Sequence, residues 1–354
     1  MSRFTGYAMH FRNVCSLLLV SSSALALSGC DNAARAAAEQ AASPQTQAKV
    51  AALVEKTKNQ MKFVQGGSFW LGDFGVLMPS DGEGKFQDVP PPGPEIKDAS
   101  NLPFTTISEN NKPPRWVSLD SFSMQSHKVT YGDFDVYVLA NALPAHPPVG
   151  KEIFHEIWRD ARSSDAIPAG VSWYQAKAYC QWLGKVSGLP IDLPTEAQWE
   201  FAASNRVNRA SQPMPTDNGI LEEGRNMPTY EQMKKMIGPR GALYPVGKYP
   251  PNPLGLYDLV GDGMDWVNDW YDPKGYVSGP SHNPTGPDHG TEKVMRGSLP
   301  NEDFTHRPHL ERWHEVPKDL LIGTEDPHPY PYVTESFRCV VNQTQPVAAG
   351  GGSK

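Results

Sequence analysis

Cysteine is scarce in this chain of 354 residues. Two of the four, Cys15 and Cys30, fall within the first thirty positions, which leaves only Cys180 and Cys339 for the remainder. Positive charge is not in excess either. Lys and Arg number 32 against 39 Asp and Glu, and the net charge of -7 offers no basic face to nucleic acid. The apolar run from Leu17 to Leu27 is too short to cross a membrane as a helix. Hydrophobic residues make up 39%, fewer than in an average globular domain.

Nine Trp and thirteen Phe compensate with bulky core material, while 34 Pro and 31 Gly impose many turns and long loops. This composition predicts an irregular, loop-rich α+β domain with little regular secondary structure and few long helices.

The first thirty residues read as a targeting segment. Arg3, His10 and Arg12 precede the short apolar run, and Leu27-Ser28-Gly29-Cys30 follows it. That pattern is a lipobox. It predicts a signal peptide over 1–29 and lipidation of Cys30; Met9 is an alternative start. Asp31 and Asn32 suggest retention at an inner membrane, with the outer membrane as the alternative. The folded part then faces an oxidising periplasm. Residues 30–60 are Ala- and Gln-rich and predict a tether ending in a short helix over Gln47–Lys58. Residues 61–342 are the expected domain, and 343–354 a flexible tail.

Within the domain, Met61 to Gly72 reads as strand, Gly-Gly turn, strand. Trp116 to Val138 alternates and then turns helical after Thr130. Ser172 with Gln175 and Thr195 with Gln198 are capping boxes, and Gly188 stops the first of those helices. Asn252 to Trp270 mixes three glycines and four aspartates with aromatics and reads as a compact turn offering oxygens to a hard cation. Cys180 and Cys339 most simply form a disulfide in such a compartment, two free catalytic thiols being the alternative.

These blocks resemble the formylglycine-generating enzyme (sulfatase-modifying factor) superfamily. "NPLGLYDLVGDGMDWVNDWY" resembles the family segment N-x-x-GLYDM-x-GNVWEW-x-x-DW. "MKFVQGGSFWLG", "VSWYQAKAYCQW", "LPTEAQWEFAAS", "VMRGS" and "SFRC" resemble further family blocks in the same order. The resemblance implies a single domain related to C-type lectins and a structural Cys180–Cys339 pair. It also implies a calcium site at Asp258, the carbonyls of Gly261 and Gly263, and Asp265, where a Glu is usual. A second calcium site would begin at Asn226-Met227 but lacks a matching acidic partner. His127 and Lys128 stand where an acidic residue is common.

Enzymes of the family bind copper(I) through two further cysteines, three and eight positions past the Ser of "RGGS". Counted from Ser298, these positions hold Asn301 and His306. Copper(I) selects thiolates, so no copper is expected and the site reads as degenerate. The expectation is a non-catalytic lipoprotein that binds a protein partner through loops 73–114 and 299–335, resembling an immunity protein against a type VI secreted phospholipase. The alternative is an iron- or copper-dependent oxidoreductase using His306, His309, His314 and His328 with Glu302, Asp303, Glu311 and Glu315. An envelope structural role has no positive feature.

Overall fold

The computed structural model describes residues 35–73, 110–145, 162, 164–206, 214–229, 231–232, 243–276, 279–299, 308–317 and 334–350. Cys30, Asn301, His306 and His328 lie outside these residues, as does most of the 73–114 insertion.

The fold is α+β and loop-rich, and among the described residues the strands form two four-stranded sheets and a two-stranded ribbon. Helix α1, Pro44–Gln60, runs directly into strand β1, Met61–Val64. The chain then leaves the first sheet. β2, Gly67–Leu71, does not pair with β1 but with β3, Arg115–Leu119, in the ribbon. Gly66 makes that crossing possible. A Cβ there would sit 2.4 Å from the Leu119 carbonyl oxygen, so only glycine lets the two backbones approach this closely. β4, Phe122–Gln125, returns to the first sheet and pairs antiparallel with β1.

Three helices start as the capping signals require. Thr130 and Asp133 cap α2, Tyr131–Ala140; Ser172 and Gln175 cap α3, Trp173–Ser187; Thr195 and Gln198 cap α4, Glu196–Ala203. In each, the hydroxyl accepts from the third helical N–H while the acidic or amide side chain reaches back to the cap N–H. Gly188 ends α3 in the left-handed region at φ 70°. Between α3 and α4 the short β5, Ile191–Asp192, joins the edge of the first sheet.

The third sheet is built on β6, Gly263–Trp270, with β7, Lys293–Ser298, antiparallel on one side. β8, Trp313–Glu315, extends β7, and β9, Glu335–Ser336, runs parallel to β6 on its other side. β10, Val340–Val341, inserts between β4 and β5 and closes the first sheet. The stretch expected to be a turn over Asn252–Trp270 is therefore a turn only up to Asp262; its second half is a central strand. β6 is buried almost throughout, so it shows no alternation of apolar and polar residues.

Two apolar cores flank the sheets. One gathers Phe134, Tyr179, Leu183, Trp266 and Phe337 around the disulfide between Cys180 and Cys339. The other gathers Phe69, Phe122, Trp199, Phe201 and Val294. Helix α1 is longer than its expected span and is not free. Leu53 is buried in the first core, and Lys56 donates to both oxygens of Asp133 on α2. Val347, from the expected tail, packs on the same core.

Candidate functional site

Strand β6 carries two buried carboxylates, Asp265 and Asp269. Asp265 sits in the middle of three donors. Its carboxylate receives Arg338 Nε at 2.7 Å and Trp199 Nε1 at 2.9 Å, and Lys128 Nζ lies 3.1 Å away. Burial alone would raise its pKa, but the Arg338 and Lys128 charges outweigh burial and hold it below the usual carboxylate range. Lys128 is itself fully buried and also donates to the Gly263 carbonyl at 2.9 Å and to Ser336 Oγ at 2.8 Å.

The preceding turn supplies two more buried acids. Asp258 takes the left-handed region at φ 57° and accepts from the Gly247 N–H at 2.8 Å. Asp262 accepts from the Tyr244 N–H at 3.1 Å. Burial pushes both upward, Asp262 well above the ordinary value, with the Asp258 charge adding to the effect. Ser298 is buried and accepts from the Gly261 N–H at 2.9 Å, which ties the end of β7 to the turn. Asp258, Gly261, Gly263 and Asp265, expected as a calcium set, lie on this turn and the start of β6, with the Lys128 ammonium against Gly263 and Asp265 and Ser298 bonded to the Gly261 N–H. Among the described residues no three His, Cys, Asp or Glu side chains converge in metal-binding fashion.

A second buried cluster lies beneath α4. Glu196 and Glu200, one helical turn apart, face the same way. Arg296 Nη1 donates to Glu196 and Nη2 to Glu200, each at 2.6 Å. Arg312 grips Glu196 with a two-point fork at 2.7 and 3.0 Å. Tyr276 donates its hydroxyl proton to Glu196 at 2.9 Å. Burial works against ionised Glu196, but Arg312 and Arg296 hold its pKa down; Glu200, with one arginine, stays raised by burial. Asp269 accepts from the Glu196 N–H at the start of α4, and burial together with the Glu196 charge pushes it up to about 7. Lys293 sits between the rings of Trp173 and Trp270, 4.0 and 3.7 Å from their centroids, and burial draws it down to about 8.

This cluster also holds one root of the 74–109 insertion and the segment 308–312. The Asp73 N–H donates to the Asn111 carbonyl at 3.0 Å, so the two ends of the 74–109 segment lie side by side. Asn111 Nδ2 donates to the Leu310 carbonyl at 2.8 Å, and Arg312 Nη1 to the Asn110 carbonyl at 2.6 Å. Residues 308–317, which separate the segments 300–307 and 318–333, are held against the same corner. Sequence reasoning missed Glu196, Glu200, Arg296, Arg312 and Arg338. The two glutamates spaced by four in "TEAQWE", with no Lys or Arg on that helix, were the available signal.

Of the four candidate histidines, the described His309 and His314 have separate surroundings. His309 is buried, and its carbonyl accepts from Arg296 at 2.6 Å. His314 stacks on Tyr271 at 3.8 Å and pairs with Glu292 at 3.2 Å near the surface.

The model of the sulfatase-modifying factor enzyme 1-like domain matches residues 46–314. The chain is 28% identical over 272 residues to the formylglycine-generating enzyme of Streptomyces coelicolor, covering 70% of this chain and 80% of that protein. It is 26% identical over 230 residues to the formylglycine-generating enzyme of Mus musculus, covering 53% and 59%. It is 37% identical over 108 residues to the inactive C-alpha-formylglycine-generating enzyme 2 of Mus musculus, covering 30% and 32%. The chain spans less than two thirds of the length of the first curated relatives it matches. The solved structure of PvdO from Pseudomonas aeruginosa shares the fold at a TM-score of 0.52 and 21% identity, covering 79% of this chain and 93% of that one. With three quarters of its length matched, this chain belongs to the sulfatase-modifying factor enzyme 1-like domain family.

Proposed function

We propose that this chain keeps the family scaffold without its copper–thiol chemistry and works as a membrane-tethered protein-binding module. The observation that carries the reading is the disulfide. Cys180 and Cys339 are the only cysteines after position 30, and both are consumed in one buried bridge. No thiol remains for a soft copper(I) ion, and the two positions at which the family places one hold Asn301 and His306. A relative whose name declares it inactive fits a family in which fold and activity separate.

Binding is the role left to the long insertions. Arg312 of the Glu196–Arg296–Arg312 cluster holds Asn110 at the root of 74–109, Thr334 at the end of 318–333 accepts from the Met264 N–H of β6, and loops on a rigid base are where recognition evolves. The lipobox-like Leu27-Ser28-Gly29-Cys30 would tether that surface to a membrane facing the periplasm. A partner acting on the membrane, a type VI secreted phospholipase, fits this placement best, by analogy with lipoproteins that carry this domain. The oxidoreductase alternative gains no supporting observation from His309 or His314.

The test is capture in the native periplasm with tagged, lipid-free residues 31–354. A phospholipase is expected at one-to-one ratio, inhibited while bound. Deleting both 74–109 and 318–333 is expected to weaken the complex at least about tenfold, the scale of one lost hot spot, with the melting temperature retained. Unchanged affinity after both deletions would contradict the assignment of the loops.

A further inference from the structure

The four positions of the family calcium turn are present, but the space they surround is taken. Lys128 Nζ donates to two oxygens and pairs its charge with a third. These are the Gly263 carbonyl at 2.9 Å, Ser336 Oγ at 2.8 Å and Asp265 Oδ1 at 3.1 Å. Two of the three belong to the residues that would ligate calcium. Ser336 in turn donates to the Met264 carbonyl at 2.8 Å, so the hydroxyl that accepts from Lys128 is oriented by β6 itself. The other side of the turn is held by a second fixed cation. Arg338 Nη2 donates to the Tyr257 carbonyl at 2.9 Å and to the Asp258 carbonyl at 3.3 Å, while its Nε holds Asp265.

A calcium ion needs six to eight oxygens at 2.3–2.6 Å as general geometry. An ion reaching both Gly263 and Asp265 would press against a buried ammonium of like charge. The residues therefore do not fit calcium in this chain.

We propose that Lys128 is a built-in replacement for that ion: its ammonium cross-links β6 to β9 through Asp265, Gly263 and Ser336, and makes this turn independent of divalent metal. The same geometry makes the replacement reversible by one substitution. Without the ammonium, the Asp265 carboxylate, the Gly263 carbonyl and the Ser336 hydroxyl are left as hard oxygens facing one vacated position without a cation. The charge reversal at Lys128 and the shortened acid at Asp265 belong together in this reading. A shorter carboxylate suits a partner that arrives on its own long side chain.

The experiment is thermal unfolding of residues 31–354, wild type and Lys128→Met, in chelator and in about 5 mM calcium chloride, a concentration that saturates even weak extracellular sites. The wild-type melting temperature is expected to be the same in both. Lys128→Met is expected to lose about 10 °C in chelator, and to recover at least half of it in calcium, with one ion bound per chain. Lys128→Arg, which keeps the charge, is expected to stay indifferent to calcium. Calcium stabilisation of the wild type that Asp258→Asn abolishes would overturn the proposal. So would a folded Lys128→Met that ignores calcium as the wild type does. Should Lys128→Met fold in neither buffer, the wild-type and Lys128→Arg arms decide.

Discussion

Arg296→Met is expected to remove about 3–5 kcal/mol of stability, the range for breaking a buried ion pair by deleting one partner. The loss is uneven across its partners. Glu196 keeps the Arg312 fork and the Tyr276 hydroxyl. Glu200 keeps only the Gly72 N–H, at 2.7 Å, and is left as a buried carboxylate without a cation. The His309 carbonyl also loses its donor. For a chain of this size the change is a fall of about 10 °C or more in melting temperature, with a matching drop in the urea midpoint. The double variant Arg296→Met/Glu200→Gln is expected to be more stable than Arg296→Met alone, because the amide oxygen still accepts from Gly72 and no charge is stranded. A single variant within about 1 kcal/mol of wild type, the scale of a surface pair, would refute the view that this cluster holds the corner together.

Removing the disulfide is the second large effect. The bridge joins residues 159 apart, so in the chain-entropy model its loss costs up to about 5 kcal/mol. Both sulfurs are fully buried beside Tyr179 and Phe337. Replacement of both cysteines by serine adds unsatisfied hydroxyls, so alanine is the cleaner test. Cys180→Ala/Cys339→Ala is expected to melt about 10–20 °C below wild type. Strong reductant under partly denaturing conditions should bring the wild type to a similar midpoint. Equal stability of oxidised and cysteine-free forms would show that the bridge closes a loop already ordered in the unfolded chain.

Local signals carried much of this fold. Thr130, Ser172 and Thr195 announce their helices because a cap is satisfied within four residues, whatever the tertiary context. The Cys180–Cys339 pair was the simplest reading of the two cysteines left after position 30, given the compartment expected for them, and the ordered blocks from Met61 to Cys339 pointed to the family. What stayed hidden depends on long-range burial. Gly263–Trp270 reads as a turn because its aspartates and glycines look like oxygens offered to a cation, whereas each acid is bonded by groups far away in sequence: Arg338 and Lys128 for Asp265, the Glu196 N–H for Asp269. Lys128 was visible as a departure from the family pattern, but its target lies 137 residues on, at Asp265. The Gly66 crossing was equally opaque. A Gly-Gly pair between two strands suggests a hairpin, and only the packing of Leu119 against Gly66 shows that the strands belong to different sheets.

The separation of scaffold from chemistry is the central claim, and it has a direct measurement. Purified residues 31–354, with the disulfide intact, would be given copper(I), passed through a desalting column, and incubated in air with a cysteine-containing sulfatase-type peptide. The account predicts no retained copper and no oxygen-dependent loss of the peptide thiol by mass spectrometry. One copper ion retained per chain, together with conversion of the peptide cysteine to an aldehyde, would contradict it.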